Sequence, residues 1–264
     1  QMCIRDRSIG TTLPEVMVST ISAVSGHGEI SYGNAIGSVI CNAALIAAIT
    51  VAVRPGKVDP KTLRVPVAFF FAAAAIYCVA AYGMGRFTRP MGLLMLGMFV
   101  AYMVANVWQM KNAPAEPEHE EELMGIGKIV LLLVVGAALI ALGANLLVDN
   151  GTIIAQAMGV PESVIALTFV ALGTSLPELV TAITSLMKGH SDLSLGNVVG
   201  ANVFNLVLVS GMSVTLAPFE IPQSATLFGI NSSLVLELPV MLLVMVLLLT
   251  IPALVRGKLS RVQG

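Results

Sequence analysis

Two short segments of the chain share the residue order Gly-Thr-x-Leu-Pro-Glu, with Thr or Ser at x, and each lies inside an apolar stretch. The first segment ends at Glu15 and the second at Glu178. A charged side chain within the hydrocarbon of a membrane costs about 2.5–3.5 kcal/mol on insertion scales, so carboxylates placed there commonly serve a function. The repeated pattern predicts a buried cation site to which each segment contributes one carboxylate.

The other residues of each segment supply further oxygen ligands. The proline lacks an N–H, so it bends the helix and leaves the carbonyl four residues earlier without its helical partner. A threonine precedes each glutamate by four residues on the same helix face, in the pairs Thr11–Glu15 and Thr174–Glu178. Carboxylate, hydroxyl and carbonyl oxygens suit sodium, calcium or magnesium and not copper or zinc. One proline alone would indicate only a kink in a packing helix, whereas the repeated combination favours an ion site.

A second pattern follows each motif. It comprises Gly33, Asn34, Gly37, Ser38 and Asn42 in the first copy, and Gly196, Asn197, Gly200 and Asn205 in the second. Spacings of three and four residues place each set on one helix face, and the glycines predict close helix packing. An isolated intramembrane asparagine is typical of a packing hydrogen bond. Beside the glutamate motif, however, Asn42 and Asn205 are predicted to approach the carboxylates.

Composition indicates the class of protein. Of the 264 residues 56% are hydrophobic and 11% are charged, and the mean hydropathy is +0.90, whereas a soluble domain has about 25% charged residues. Recurrent apolar runs of about 20 residues predict an all-α integral membrane protein in a lipid bilayer and not a β-barrel. The net charge of −1 gives no indication of a nucleic acid partner, and the three scattered cysteines indicate neither a disulfide framework nor a thiolate metal site.

Eight membrane-spanning helices are predicted, at about 8–25, 33–53, 65–84, 90–110, 128–149, 153–187, 193–215 and 233–255. The acidic linker 111–126 separates a first half, 8–110, from a second half, 127–264. Ten lysines and arginines fall on one side of the membrane and two on the other, with Arg5 and Arg7 set aside. The linker is therefore predicted to be cytoplasmic. Glu237 is expected at the membrane interface.

The repeat organises the two halves. The first copy spans 8–45 and the second spans 164–208. Subtracting 163 from the residue numbers of the second copy places its residues 171–208 on the first copy without a gap. The second motif lies in the fifth helix after the first, and five crossings reverse its direction. The sequence therefore predicts an inverted repeat with a binding site near the midplane of the membrane.

Both ends of the chain are expected to be incomplete. Residues 1–7 carry three charges where the second copy has an apolar half-helix. Such charges do not fit inside a bilayer, so residues 1–7 are expected to be non-native and to replace one and a half helices. A final helix is expected to be missing after 257–264.

At these residues the chain resembles the calcium/cation antiporter superfamily, specifically the prokaryotic sodium/calcium exchangers. The family signature is Gly-Thr-Ser-Leu-Pro-Glu followed by Gly-Asn-x-x-Gly-Ser-Asn-x-x-Asn; residues 171–205 match it closely and residues 8–42 more loosely. The resemblance implies an inverted-repeat bundle of ten helices, truncated here to about eight. It also implies a monomer of a bacterial or archaeal cell membrane that exchanges sodium for calcium, typically three for one, by alternating access and without a cofactor or an enzymatic activity.

The resemblance also implies a set of ligands. These are the side chains of Thr11, Thr12, Glu15, Ser38, Asn42, Thr174, Ser175, Glu178 and Asn205, with the carbonyl groups of Ser8 and Ala171. The chain departs from the family at Ala201, where a serine is usual, and at Asn205, where some exchangers have aspartate. Two carboxylates would balance one calcium ion, whereas three sodium ions would leave about one excess positive charge.

Three other functions are weighed against this one. A calcium/proton antiporter is the alternative, because a buried glutamate can take up a proton. A cation channel would conduct without countertransport. An intramembrane enzyme would need a nucleophile with a base, or paired aspartates; no histidine falls in a predicted helix and no aspartate is central.

Overall fold

Helices form nearly all of the computed structural model, which describes residues 11–53, 60–111, 126–187, 192–223 and 225–254. The helices are α1 (Leu13–Val24), α2 (Gly28–Ile40, Cys41–Ile46 and Ala47–Val53), α3 (Pro60–Cys78 and Val79–Met84), α4 (Arg89–Lys111), α5 (Ile126–Met158), α6 (Glu162–Ile165, Ala166–Val170 and Ala171–Thr174), α7 (Leu176–Met187), α8 (Asp192–Phe204, Asn205–Val209 and Ser210–Leu216) and α9 (Ser233–Glu237 and Leu238–Leu254). Strands β1 (Thr226–Leu227) and β2 (Ile230–Asn231) form an antiparallel hairpin before α9. The predictions for residues 1–7, Ser8, 112–125 and 257–264 lie outside the described residues.

The predicted class, an all-α membrane protein, is confirmed. Within the described ranges, six helical segments are long and apolar enough to cross a membrane, and α1 is a shorter apolar helix. The helix order follows the predicted order. The span predicted at 153–187 is formed by α6 and α7 from Glu162 onward, because residues 153–158 belong to α5. The exact number of crossings stays a prediction.

Glycines end two of the helices in the same way. After α1, Gly26 has φ +90°, and the His27 N–H donates to the Ser22 carbonyl at 2.8 Å. After α5, Gly159 has φ +65°, and the Val160 N–H donates to the Ala155 carbonyl at 3.1 Å. Both are Schellman motifs, in which a left-handed glycine allows the chain to satisfy the last helical carbonyls.

The second of these ends corrects a prediction. The helices predicted at 128–149 and 153–187 imply a turn between them, for which Asp149-Asn150-Gly151 is a typical sequence. Instead α5 continues through these residues to Met158. The Asn150 side chain donates back to the Leu146 carbonyl at 2.6 Å, and Gly151 packs near Val170 of α6. Helix packing therefore outweighs a local turn signal here.

Helix α2 lies at the centre of the bundle. It contacts α1, α6, α8 and α9, and every residue from Ile30 to Val39 is buried. A helix buried on all sides has neighbours on all sides. Helix α2 is therefore placed where it can connect the two repeats.

Both repeats widen to a π-helix at the same position. The segment Cys41–Ile46 in α2 and the segment Asn205–Val209 in α8 each have π-helical hydrogen bonding. They begin at or just before Asn42 and Asn205, which coincide under the 163-residue shift. Short π-helical segments inside helices are frequent at functional sites, so this shared irregularity marks the asparagines as candidates.

Candidate cation site

Both motif helices are interrupted at the same place. Thr12, before α1, has φ −82° and ψ −2°, and Ser175, between α6 and α7, has φ −84° and ψ 3°. Two residues later each motif has its proline, which lacks the N–H that a continuous helix needs as a hydrogen-bond donor. The predicted break is therefore confirmed in both copies, with the same backbone conformation.

The two interruptions bring the motif carboxylates together. The Thr12 hydroxyl donates to Glu178 Oε1 at 3.5 Å, and the Ser175 hydroxyl donates to Glu15 Oε1 at 3.4 Å. The 163-residue shift converts each contact into the other, because Thr12 corresponds to Ser175 and Glu15 to Glu178. This is expected for two equivalent units that face each other across a two-fold axis. Each glutamate is thus held by a hydroxyl of the other repeat.

The remaining predicted hydroxyls complete the same crossed arrangement. Thr11 faces the Glu178 carboxylate beside Thr12, and Thr174 faces the Glu15 carboxylate beside Ser175. The two carboxylates are close enough to repel each other. A cation between them would relieve this repulsion.

Several buried polar atoms of the predicted ligands have no hydrogen-bond partner among the described residues. They are Glu15 Oε2, Glu178 Oε2, Ser38 Oγ, Asn42 Oδ1, Asn42 Nδ2 and Asn205 Oδ1. Leaving a buried polar group unpaired costs about 1–3 kcal/mol, and more for a charged one. Five of the six atoms are oxygens, which suit a hard cation. The structure thus brings the hydroxyls of Thr11, Thr12, Thr174 and Ser175 to the two glutamates. Ser38, Asn42 and Asn205 are buried, and their part in the site stays a prediction. The Ser8 carbonyl lies outside the described residues.

Glycine packing positions the first repeat against α6. A methyl group on Gly33 would lie 2.7 Å from the Ser163 carbonyl oxygen, and one on Gly37 would lie 2.4 Å from the Leu167 carbonyl oxygen. The predicted glycine contact is confirmed for these two residues. At Gly196 an added methyl group meets no atom of the described residues within 4 Å. The residues that correspond to Ala166 and Leu167 under the repeat, at positions 3 and 4, lie outside the described residues.

Two residues have roles that the sequence did not indicate. Asn34 was grouped only with the glycine pattern, but its side chain accepts a hydrogen bond from Thr174 at 2.9 Å. Glu237 was expected at the membrane interface, but it is buried inside the protein and accepts hydrogen bonds from Ser232 and Ser233 at 2.9 and 3.0 Å. The Asn34 contact has no local signal, because Thr174 lies 140 residues away in the sequence. The Glu237 contacts are local, since Ser233 precedes it by four residues, a spacing that places both on one helix face.

These features define a class of protein. Inverted motifs whose carboxylates meet within a bundle of membrane-length helices are typical of secondary transporters. The chain belongs to the sodium/calcium exchanger protein family, whose model matches residues 8–108 and 128–264. It is therefore a membrane transporter of the cation-antiporter type.

Two relatives and one solved structure illustrate this membership. The chain is 33% identical to CaxA of Alkalimonas amylolytica, covering 97% of this chain and 79% of that protein. It is 26% identical to the sodium/calcium exchanger MaX1 of Methanosarcina acetivorans, covering 84% of this chain and 74% of that one. The solved structure of the sodium-calcium exchanger NCX_Mj soaked with Na⁺ and Sr²⁺ matches with a TM-score of 0.68 and 28% identity, over 98% of this chain and 80% of that chain.

Proposed function

We propose that the protein exchanges sodium for calcium across a cell membrane by alternating access, with Glu15 and Glu178 as ligands common to both ions. The crossed hydrogen bonds between the repeats carry this proposal, because they direct both carboxylates to one place. Calcium and sodium would compete there, so the transporter would reorient mainly when one of them is bound. The linker 111–126 is proposed to face the cytoplasm.

The proposed ligands surround this pair of carboxylates. They are Thr11, Thr12, Glu15, Ser38, Asn42, Thr174, Ser175, Glu178 and Asn205, with the carbonyl groups of Ser8 and Ala171. Calcium takes six to eight oxygen ligands in proteins, and this set is large enough to supply them. Two carboxylates neutralise one calcium ion, so exchange for three sodium ions would move net charge across the membrane.

Calcium/proton exchange is the competing proposal. Ala201 is buried and offers no hydroxyl opposite the buried hydroxyl of Ser38, so a sodium site would lack one oxygen. A proton needs no such ligand, since either glutamate can carry it. The two functions differ in which gradient drives calcium.

Transport in vesicles separates them. The purified chain is reconstituted and ⁴⁵Ca uptake is measured with an outward sodium gradient, with a pH gradient in sodium-free buffer, and with neither. We expect uptake with the sodium gradient only, and none from the Glu178→Gln variant. Uptake driven only by the pH gradient would establish the competing function, and uptake without any gradient would indicate a channel.

A further inference from the structure

We infer that Asn34 is a positioning residue that keeps the Thr174 hydroxyl proton away from the cation. The inference rests on the proposed function, because it assigns a task to a residue that touches a proposed ligand and not the ion. Asn34 lies in α2 of the first repeat, and Thr174 ends α6 of the second. Their hydrogen bond therefore joins the two repeats.

The contacts of Asn34 determine which way its amide points. Its Nδ2 donates to Ser19 Oγ at 2.9 Å and faces the Glu15 carbonyl oxygen at 3.5 Å. Ser19 directs its own proton to the Ser31 carbonyl at 3.5 Å, so its oxygen is left to accept. Both neighbours of Nδ2 are acceptors, which requires the nitrogen there and the oxygen toward Thr174. Asn34 is fully buried, so water does not compete.

Thr174 has one hydroxyl proton and more than one acceptor within reach. The Asn34 oxygen lies 2.9 Å from Thr174 Oγ1, and the Ala171 carbonyl oxygen lies 3.2 Å from it. The Ala171 carbonyl already accepts the Ser175 N–H at 3.0 Å. A carbonyl has two lone pairs, so one remains. The Thr174 proton can occupy that lone pair or leave it to a cation.

A hydroxyl that binds a cation must point its proton away from the ion. The Asn34 oxygen receives this proton, which leaves the Thr174 lone pairs and the second Ala171 lone pair available as ligands. Without Asn34, the proton would turn to the Ala171 carbonyl or to the nearby Glu15 carboxylate. One side-chain change would then compromise two or three ligands at once.

The second repeat lacks the equivalent support. Under the 163-residue shift Asn34 corresponds to Asn197 and Thr174 to Thr11, but Ser19 corresponds to Ala182. The serine that fixes the Asn34 amide therefore has no counterpart. The Ser19→Ala variant gives the first repeat the residue that the second repeat already has, which makes it a mild and well-matched test.

A double-mutant cycle on calcium affinity tests the inference. Equilibrium ⁴⁵Ca binding to the purified full chain is measured for the parent, Asn34→Ala, Thr174→Val and the double variant. Residues that orient metal ligands from outside the coordination shell typically contribute about 10–100-fold in affinity, and we expect Asn34→Ala to lose an amount in that range. In the Thr174→Val background the same change is expected to have no further effect, because there is no proton left to direct.

Several results would decide against the inference. Asn34→Ala with parental affinity would overturn it, and so would an equal loss in the presence and in the absence of the Thr174 hydroxyl. If Asn34→Ala does not fold, the cycle is run with Ser19→Ala. We expect a smaller loss of calcium affinity, and only while Thr174 is present. An equal loss in the Thr174→Val background would count against the inference. A parent chain that binds no calcium would contradict the proposed function itself, and with it this inference.

Discussion

Ser175 of the second repeat donates a hydrogen bond to Glu15 of the first repeat at 3.4 Å. The equivalent bond from Thr12 to Glu178 runs the opposite way. Each carboxylate therefore accepts a hydrogen bond from a hydroxyl of the other repeat. A movement of one repeat against the other would change the surroundings of both glutamates together, which is what alternating access at a single site requires.

Neutralising either motif glutamate is expected to abolish calcium binding. Glu15→Gln and Glu178→Gln each remove half of the negative charge that balances the ion, so affinity should fall by more than the roughly 10–100-fold seen for supporting residues. Equilibrium ⁴⁵Ca binding measures the loss. The matched control is Glu237→Gln, another buried glutamate but one bonded to two serines. Its affinity should stay near the parental value, and an equal loss there would count against the assignment.

A methyl group on Gly33 is expected to destabilise the protein, whereas one on the corresponding Gly196 is not. At Gly33 it would lie 2.7 Å from a backbone oxygen of Ser163, and at Gly196 it meets nothing within 4 Å in the described chain. Overpacking typically costs about 1–3 kcal/mol, while Gly→Ala in a helix interior otherwise gains about 0.5–1 kcal/mol. Thermal unfolding in detergent should thus show a lower midpoint for Gly33→Ala only. Equal midpoints would refute the close contact.

Replacing the motif proline is expected to affect the ion site more than the fold. Pro177→Ala restores an N–H two residues after the interruption at Ser175 and allows α6 and α7 to become continuous. The thermal midpoint should not fall, but calcium affinity should drop by about ten-fold, the lower bound for displaced ligand support. Pro66→Ala is the control, since Pro66 lies inside α3. If both variants bind calcium alike, the interruption has no part in binding.

Restoring the missing hydroxyl is expected to strengthen sodium binding. Ala201 corresponds to Ser38 under the repeat and is buried like it. Because sodium carries one charge, it depends more than calcium on neutral oxygens. Ala201→Ser should therefore lower the sodium concentration that displaces ⁴⁵Ca by about five-fold, equivalent to about 1 kcal/mol for one added polar contact. Ser38→Ala should raise it. Opposite or absent shifts would place these positions outside the sodium site.

The parts of the site that the sequence predicted are those encoded by local chemistry. The break before Pro177 follows from a missing N–H, and the approach of α2 to α6 follows from Gly33 and Gly37, which leave no side chain between the backbones. The opposite directions of the two motifs were expected, because an odd number of membrane crossings separates them. The partner of each glutamate became known only from the structure.

Two features that sequence reasoning missed depend on long-range contacts. Asn34 contacts a threonine 140 residues away, and no spacing rule within one helix predicts such a pair. The expected turn at Asn150-Gly151 failed because α5 packs against α6 there, and the helix ends instead at Gly159 with its positive φ. The burial of Glu237 was missed because its position near a helix start did not show which way the side chain faces.

In the proposed site one calcium ion lies between the two motif carboxylates. Crystals grown in sodium-free buffer with calcium would show this ion directly in an anomalous difference map. We expect a single strong peak at about 2.3–2.6 Å, the usual calcium–oxygen distance, from an oxygen of Glu15 and from an oxygen of Glu178. A peak bound by only one of these glutamates, or lying instead beside Glu237, would contradict it.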